Sequence, residues 1–370
     1  MQHHDVIVVG AGPAGIAASK VLSTHGLEVL LLDKSSFPHN KSCGGYLTPR
    51  SIKLLSKIFP DFDYPKKKIN IVEFGHFKND SFKPLQRVLI KSDFHTVNRK
   101  DFDNLLLAEA KKYGVKLSTE RVKSITVEDN LFIIEGNEKY SAEYVIVASG
   151  VFGPKLLKIP DTLFEVPRFS ISYHSVKESN DNIIKIGYLN NAYYWSFPKP
   201  QKTFIGVGFY KNIMPDNLQI AQKLLGKTNV NFKGTTIPFF EPEKSFKNNN
   251  TFDGCLFAGD SAGFVDNWTG EGISFALKSG TEAAKAIIKR YSRPNKVNDQ
   301  YLYNIRIMAR HLILAESFRK TFNRNIPANL DLLKEKRLLK LFISYISTFS
   351  KSANSLFLKS LFVRTPKIII

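Results

Sequence analysis

Only two cysteines occur in 370 residues, Cys43 and Cys255. They lie far apart and lack metal-ligand spacing, so neither a disulfide scaffold nor a metal site is expected, and a reduced, cytoplasmic setting is. No apolar run reaches about eighteen residues, so no membrane-spanning helix is expected. No secretory leader is expected either: a strand-like segment starts at residue 5, and His3 and His4 read as a short polar lead-in. Acidic residues are scarce. Thirty-three Asp and Glu against fifty-three Lys and Arg leave a net charge of +20. A basic surface attracts polyanions, either nucleic acid or anionic lipid, unless it is simply a solvated lysine-rich face. No recognition module or aromatic–basic sheet pattern supports nucleic acid, which is not expected as a partner. At 43% apolar, the chain is globular and long enough for two joined domains.

Against these absences stands one dense motif. Residues 5–9, Asp5 followed by the β-branched run Val6-Ile7-Val8-Val9, have the pattern of a buried parallel strand. Gly10-Ala11-Gly12-Pro13-Ala14-Gly15 follows, then a small-residue helix over residues 16–25, stopped by Gly26. A second apolar strand over residues 28–32 ends in Asp33. Gly10 permits the tight turn, Gly12 lets backbone approach a pyrophosphate, and Gly15 lets helix and strand pack closely. The helix start offers unpaired N–H groups and a positive dipole end to the phosphates. Asp33 sits about 20 residues on, where a carboxylate accepts hydrogen bonds from ribose hydroxyls. Pro13 and Ala14 within the turn, and Lys34 after the acid, complete the expected nucleotide contacts. The motif alone fits NAD and FAD equally.

A second constellation separates them. A short strand, Cys255-Leu256-Phe257-Ala258, closes on Gly259-Asp260 and leads through Gly270-Glu271-Gly272-Ile273 into an amphipathic helix over residues 274–290. This resembles the Gly-Asp motif of the p-hydroxybenzoate hydroxylase-like flavoproteins. The resemblance implies FAD, with Gly259 and Asp260 at the ribityl chain. It places the backbone of Gly270, Gly272 and Ile273 at the pyrimidine side of the ring, where a helix N-terminus would stabilise an anionic reduced flavin. Arg99-Lys100-Asp101-Phe102-Asp103 is similar to the superfamily's Arg-x-x-Phe-Asp helix start, which puts Arg99 near the FAD phosphates. The strand over residues 144–148, ending in Ser149-Gly150, matches the return strand to the cofactor. An Asp-Gly pair, usual there in NADPH-dependent aromatic hydroxylases, is not present, and neither is the Trp-x-Trp-x-Ile-Pro signature of flavin-dependent halogenases.

Two further segments narrow the family. Phe37-Pro38-His39-Asn40-Lys41-Ser42-Cys43-Gly44-Gly45-Tyr46-Leu47-Thr48-Pro49-Arg50 and Tyr193-Tyr194-Trp195-Ser196-Phe197-Pro198, the latter followed by Gly206-x-Gly208, resemble motifs of the geranylgeranyl reductase family. With the FAD motifs the resemblance covers about residues 5–290. It implies reduction of polyprenyl double bonds, by hydride from reduced flavin N5 to one alkene carbon and a proton to the other. Cys43 becomes the candidate catalytic residue, for protonation or substrate positioning. Cys43 and Gly44 also fall beside the cofactor. Gly44, Gly45, Tyr46, Tyr193, Trp195 and Phe197 become the candidate cavity wall. Tyr46 stands where many members carry a third glycine, and its ring narrows the cavity. Tyr193 and Trp195 share one strand face, opposite Tyr194 and Ser196; that face either lines an apolar channel or packs as ordinary sheet. Cys255, inside a strand, reads as core.

The expected architecture is α/β. A Rossmann-like FAD-binding domain (residues 1–63, 96–160 and 249–293) carries an inserted antiparallel sheet domain for substrate (64–95 and 161–248), with strands at 69–77, 168–176, 183–189, 193–197 and 204–209. The run Asn248-Asn249-Asn250 reads as a loop. A basic, amphipathic helical region (294–370) follows. From residue 301 onward thirteen Lys and Arg face three Asp and Glu. Leu338, Phe342, Tyr345, Ile346 and Phe349 recur at helical spacing beside Lys334, Lys336, Arg337 and Lys340. Residues 355–363 form a second apolar patch flanked by Lys351, Lys359 and Arg364. Such helices either bind an anionic membrane surface, at the inner face, or pack on the body and close the cavity. No second Gly-x-Gly-x-x-Gly unit exists, so the reductant is either a transiently bound NAD(P)H or a small electron-transfer protein. A monooxygenase of hydrophobic substrates and a non-catalytic prenyl-binding flavoprotein are the competing functions.

Overall fold

The computed structural model describes residues 1–78, 81–189, 192–210, 216–226, 230–292, 296–322, 344–345 and 349. The chain opens with β1 (Gln2–Val9), α1 (Pro13–Thr24), β2 (Val29–Asp33), β3 (Tyr46–Leu47) and α2 (Pro49–Ile58). Next come β4 (Lys67–Lys78), β5 (Ser81–Thr96), α3 (Arg99–Lys111), β6 (Lys116–Thr119), β7 (Ser124–Glu128), β8 (Leu131–Glu135) and β9 (Lys139–Val147). The middle of the chain supplies β10 (Phe169–Glu178), β11 (Ile183–Leu189), β12 (Ala192–Lys199), β13 (Lys202–Phe209), α4 (Asp216–Leu225) and β14 (Val230–Pro238). It finishes with α5 (Pro242–Thr251), β15 (Cys255–Phe257), α6 (Ile273–Ser292) and α7 (Val297–Phe322).

Two sheets result. The first runs β6-β2-β1-β9-β8-β7, with β15 also on β9. β9 changes partners along its length: Lys139–Ala142 pairs antiparallel with β8, while Val145–Val147 pairs parallel with β15. β1 is wholly apolar at its centre, with Val6, Ile7 and Val8 at 0% exposure, as a parallel strand covered on both faces must be. β1 also starts earlier than the polar lead-in suggested: Gln2, His3 and His4 pair with Tyr140, Ser141 and Ala142, and His4 is buried. Cross-strand pairing overrides the polar character of those side chains.

The second sheet runs β14-β10-β13-β12-β11-β4-β5-β3. It is antiparallel except at one seam, where β4 and β11 run in parallel. The chain between those two strands returns through the first sheet, so no hairpin forces them to oppose. The five expected strands are present. β5 and β14 join them, and β3 pairs with the end of β5 through Tyr46 and Thr96.

The run Asn248-Asn249-Asn250 is helical, not a loop, and lies in α5. Asn248 and Asn249 are buried. Asn248 accepts from the Glu165 N–H and donates back to the Glu165 carbonyl, while Asn249 accepts from the Phe257 N–H. Paired buried amides offset the weak helix propensity of Asn.

Among the described residues no helix is long and apolar enough to cross a membrane. Most of the basic C-terminal pattern, including Leu338, Phe342, Ile346 and residues 355–363, lies outside the described residues. Tyr345 and Phe349 are described, and both pack on the body, against His311.

Candidate functional site

The nucleotide turn forms where β1 runs out. Gly10 takes a φ of +109°, a conformation closed to most side chains. A Cβ on Gly15 would fall 1.8 Å from the Gly10 carbonyl oxygen, so only glycine lets α1 seat against the turn. α1 begins at Pro13 behind Gly12, and no side chain caps its N–H groups. Asp33 Oδ2 accepts from the Ala11 N–H at 2.7 Å and Oδ1 from the Ser35 N–H at 2.8 Å. The acid therefore spans the turn and the end of β2. Lys34 beside it is exposed.

The residues present fit an ADP moiety. A Cβ on Gly150 would meet nothing within 4 Å, and one on Gly12 only the Lys41 ammonium at 3.8 Å. That leaves an open lip over an uncapped helix start, with a cation beside it, which suits phosphate. Lys41 was not legible as a site residue, because it lies in a loop whose course only the fold sets.

The second constellation lies across from this turn. β15 delivers Gly259 and Asp260, and Gly259 donates its N–H to Ser279 Oγ at 2.9 Å. The following turn is closed by Asp266, whose Oδ1 accepts from the Trp268 and Thr269 N–H groups at 2.9 Å each. Glu271 ends that turn just before Gly272 and α6. It is buried and paired with Arg50, and accepts from Thr48 Oγ1 at 2.8 Å. Arg50 also donates to His311 Nε2 at 3.1 Å, and His311 lies 3.6 Å from Asp266 Oδ2. Burial pulls the His311 imidazole below its ordinary pKa, against the pull of Asp266. A buried chain of charges thus braces the loop that carries Gly270, Gly272 and Ile273.

Between the second sheet and the loops that carry Cys43 and Gly270 lies a cavity of about 250 Å³. Pro13, Asp260, Gly270, Gly272, Ile273 and Arg99 line it together with Cys43, Gly44, Gly45 and Tyr46. On its sheet wall Tyr193, Trp195 and Phe197 face inward, while Tyr194 packs on the other face against Phe77. The Gly206-x-Gly208 pattern has a plain cause. Gly206 pairs with Trp195 and Gly208 with Tyr193 across the strands, and a Cβ on either would strike those rings, at 2.2 and 2.8 Å. Tyr46 stacks between Phe94 and Phe197, with ring centroids 5.4 and 5.3 Å away. Its ring lines the cavity.

Cys43 lies on this wall beside two cationic side chains. Its Sγ accepts from the Gly45 N–H at 3.4 Å. Burial pushes the thiol pKa up, but the neighbouring Arg99 guanidinium, the Gly45 amide and Lys199 together bring it below the ordinary value. Arg99 stands on the cavity wall at the start of α3, with its fork held by Asp103 through two hydrogen bonds of 2.7 Å. Lys199 lies behind the turn, 6% exposed, its Nζ 3.5 Å from the Cys43 carbonyl oxygen. Burial lowers its pKa to about 8. His174 reaches the cavity from β10, 3.3 Å from Ser42 Oγ. Neither Lys199 nor His174 carried a motif, so sequence reasoning missed both. Cys255 is fully buried in β15.

A dinucleotide turn and a Gly-Asp loop on one cavity, roofed by a second sheet, define an FAD-dependent oxidoreductase. The chain belongs to the pyridine nucleotide-disulphide oxidoreductase family, whose model matches residues 7–193. It is 32% identical over 365 residues to an uncharacterized protein of Methanosarcina barkeri, covering 90% of this chain and 87% of that one. It is 27% identical over 323 residues to a digeranylgeranylglycerophospholipid reductase of Methanocaldococcus jannaschii, covering 80% and 78%. Among solved structures, a geranylgeranyl bacteriochlorophyll reductase-like protein of Thermoplasma acidophilum superposes with a TM-score of 0.75 at 17% identity, over 100% of both chains. A flavin-dependent brominase gives the same TM-score and identity over 99% and 100%. At such identities these two structures show a shared fold and no more.

Proposed function

We propose that the protein reduces carbon–carbon double bonds of a polyprenyl lipid. The observation that carries this reading is the wall opposite Cys43–Gly45: aromatic on β12, aliphatic on β11, β4 and β5, through Ile184, Ile186, Val72 and Val88. Such a surface rewards contact with a hydrocarbon chain, at about 25 cal/mol for each Å² buried. The reductase names of the relatives agree with it.

FAD, when bound and reduced, supplies a hydride. In this reading the Gly10–Gly15 turn, Asp33 and Arg99 bind its ADP half, and Asp260 with the Gly270–Ile273 backbone orients its ring. Tyr46, Tyr193, Trp195 and Phe197 align the alkene and exclude water, which an unactivated double bond needs because it is a poor hydride acceptor. Cys43 Sγ holds the proton for the second alkene carbon. The thiolate left behind is stabilised by Arg99 and the Gly45 N–H. Electrons arrive from a transiently bound NAD(P)H or a small carrier protein, since the sequence holds no second dinucleotide unit. The net charge of +20 supports work at an anionic membrane surface, on the inner face, where such lipids reside.

The test is mass spectrometry of polyprenyl lipids incubated with the chemically reduced holoprotein. A gain of two hydrogens supports the reading. A gain of one oxygen in air makes the protein a monooxygenase, and unchanged bound lipid makes it a carrier.

A further inference from the structure

The cavity wall changes character along the order of strands. At one edge of the second sheet, β10 and β14 line the cavity with Ser172, His174, Thr235 and Thr236, beside Ile237 and Pro238. Ser42 joins them through its contact with His174 Nε2. Across the middle, β12 is aromatic. Beyond it, the lining from β11, β4 and β5 carries a single polar atom, the Tyr188 hydroxyl, among otherwise aliphatic and phenyl side chains. From β14 to β5 there are six strand-to-strand steps in the sheet order, a span of roughly 29 Å at ~4.8 Å each. Cys43–Gly45 faces β12, near the middle of that span, since Gly44 abuts Phe197.

Charge follows the same direction. Lys199 Nζ lies 4.7 Å from the centroid of the Phe204 ring, and Phe204 stacks on His174 with centroids 4.9 Å apart. A buried ammonium, an imidazole and hydroxyls therefore converge at the polar edge. The carboxylates on the cavity, Asp260 and Glu271, belong instead to the side formed by β15 and α6.

We propose that the cavity takes its substrate in one direction, with a phosphate-ester head against His174 and Ser42 and the isoprenoid tail under β11, β4 and β5. This rests on the prenyl reading above and adds to it a head-group subsite and a polarity. An anion there accepts hydrogen bonds from His174, Ser42 and the Thr235 hydroxyl, and lies in the field of Lys199. The tail end offers an anion the Tyr188 hydroxyl alone and no cation, too little to offset the cost of burying its charge.

The chain's only two tryptophans, Trp195 and Trp268, both line this cavity, so intrinsic fluorescence reports its occupancy. Titrating the FAD-loaded protein with geranylgeranyl phosphate and with geranylgeraniol gives both affinities without turnover. The phosphate binds at least about tenfold tighter in the wild type, the worth of one charge-assisted hydrogen bond. His174→Ala and the milder Ser42→Ala each shrink that preference severalfold. Ile186→Phe, at the tail end, weakens geranylgeranyl phosphate about fivefold more than geranyl phosphate. Equal affinity for alcohol and phosphate in the wild type, or equal losses on both ligands in the two head-end variants, would overturn the subsite. Head-selective binding without any gain of hydrogen would leave the subsite standing and remove the reductase reading.

Discussion

The Tyr345 hydroxyl donates a 2.7 Å hydrogen bond to Asp266 Oδ2, across 79 residues of sequence. The same carboxylate closes the turn that leads through Glu271 into α6. One residue of the C-terminal region thus braces the loop assigned to the flavin ring. Burial pushes the Tyr345 phenol pKa up, and the Asp266 charge pushes it the same way. The phenol therefore remains a donor.

Replacing Tyr345 with Phe keeps the ring and removes only that donor. We expect a loss of about 1–3 kcal/mol in urea unfolding, because Asp266 is left buried with one partner fewer. FAD affinity falls severalfold, read by titrating the apoprotein with FAD. Unchanged stability would mean that Tyr345 holds the body by apolar contact alone.

The two thiols differ in reactivity. Cys43 is lowered in pKa by its cationic neighbours, after burial is overcome, and is partly accessible. Burial alone raises Cys255, which is fully enclosed. Iodoacetamide at pH 8 is expected to modify Cys43 and spare Cys255 until the protein unfolds, as peptide mass mapping would record. Arg99→Gln slows Cys43 alkylation at that pH about tenfold, by shrinking the thiolate fraction.

Gly44 and Phe197 touch so closely that a Cβ on Gly44 would lie 2.2 Å from the ring. Gly44→Ala must displace Phe197 and with it the Tyr46 stack. Turnover on a prenyl substrate is expected to fall at least about tenfold while visible flavin absorbance persists, the scale of a small misplacement near the reacting atoms. Adding Phe197→Leu restores part of it. Loss of flavin in the single variant would instead mark Gly44 as a cofactor residue.

Lys199 sets a pH dependence of stability. Burial holds its folded pKa at about 8, below the ordinary value of 10.5. Below pH 8 both states are protonated and the folded state bears the full cost of a buried charge. Between about pH 8 and 10.5 the unfolded chain binds more protons, so this cost fades as pH rises. Lys199→Met is therefore expected to exceed the wild type in stability by up to the order of 3 kcal/mol at pH 7, less what the Cys43 carbonyl contact contributes. That gap closes toward pH 10.5. Denaturant midpoints across this range check it, and a gap that widens with pH would contradict it.

How much was legible depended on distance along the chain. The nucleotide turn was, since β1, Gly10–Gly15, α1 and Asp33 occupy one local unit whose glycines have local steric causes. That Tyr193 and Trp195 share a strand face was also legible, because strand residues alternate by covalent geometry; which face meets the cavity was not. Period alone does not order strands, and β5, β14 and the parallel seam between β4 and β11 went unseen. Asn248 and Asn249 look like loop residues to any local rule; buried backbone partners more than local propensity keep them helical.

The sequence by itself determined an FAD-dependent oxidoreductase, because cofactor binding rests on short motifs whose backbone shape is a local matter. Only the tertiary structure decided what surrounds Cys43. Lys199 reaches its carbonyl from 156 residues away, and His174 meets Ser42 across 132. Nothing local marks such pairs, since a buried cation and a neutral imidazole are chosen by long-range strand pairing and by the charges burial brings together. The polar and aliphatic ends of the cavity arise in the same way, from an order of strands that no single segment encodes.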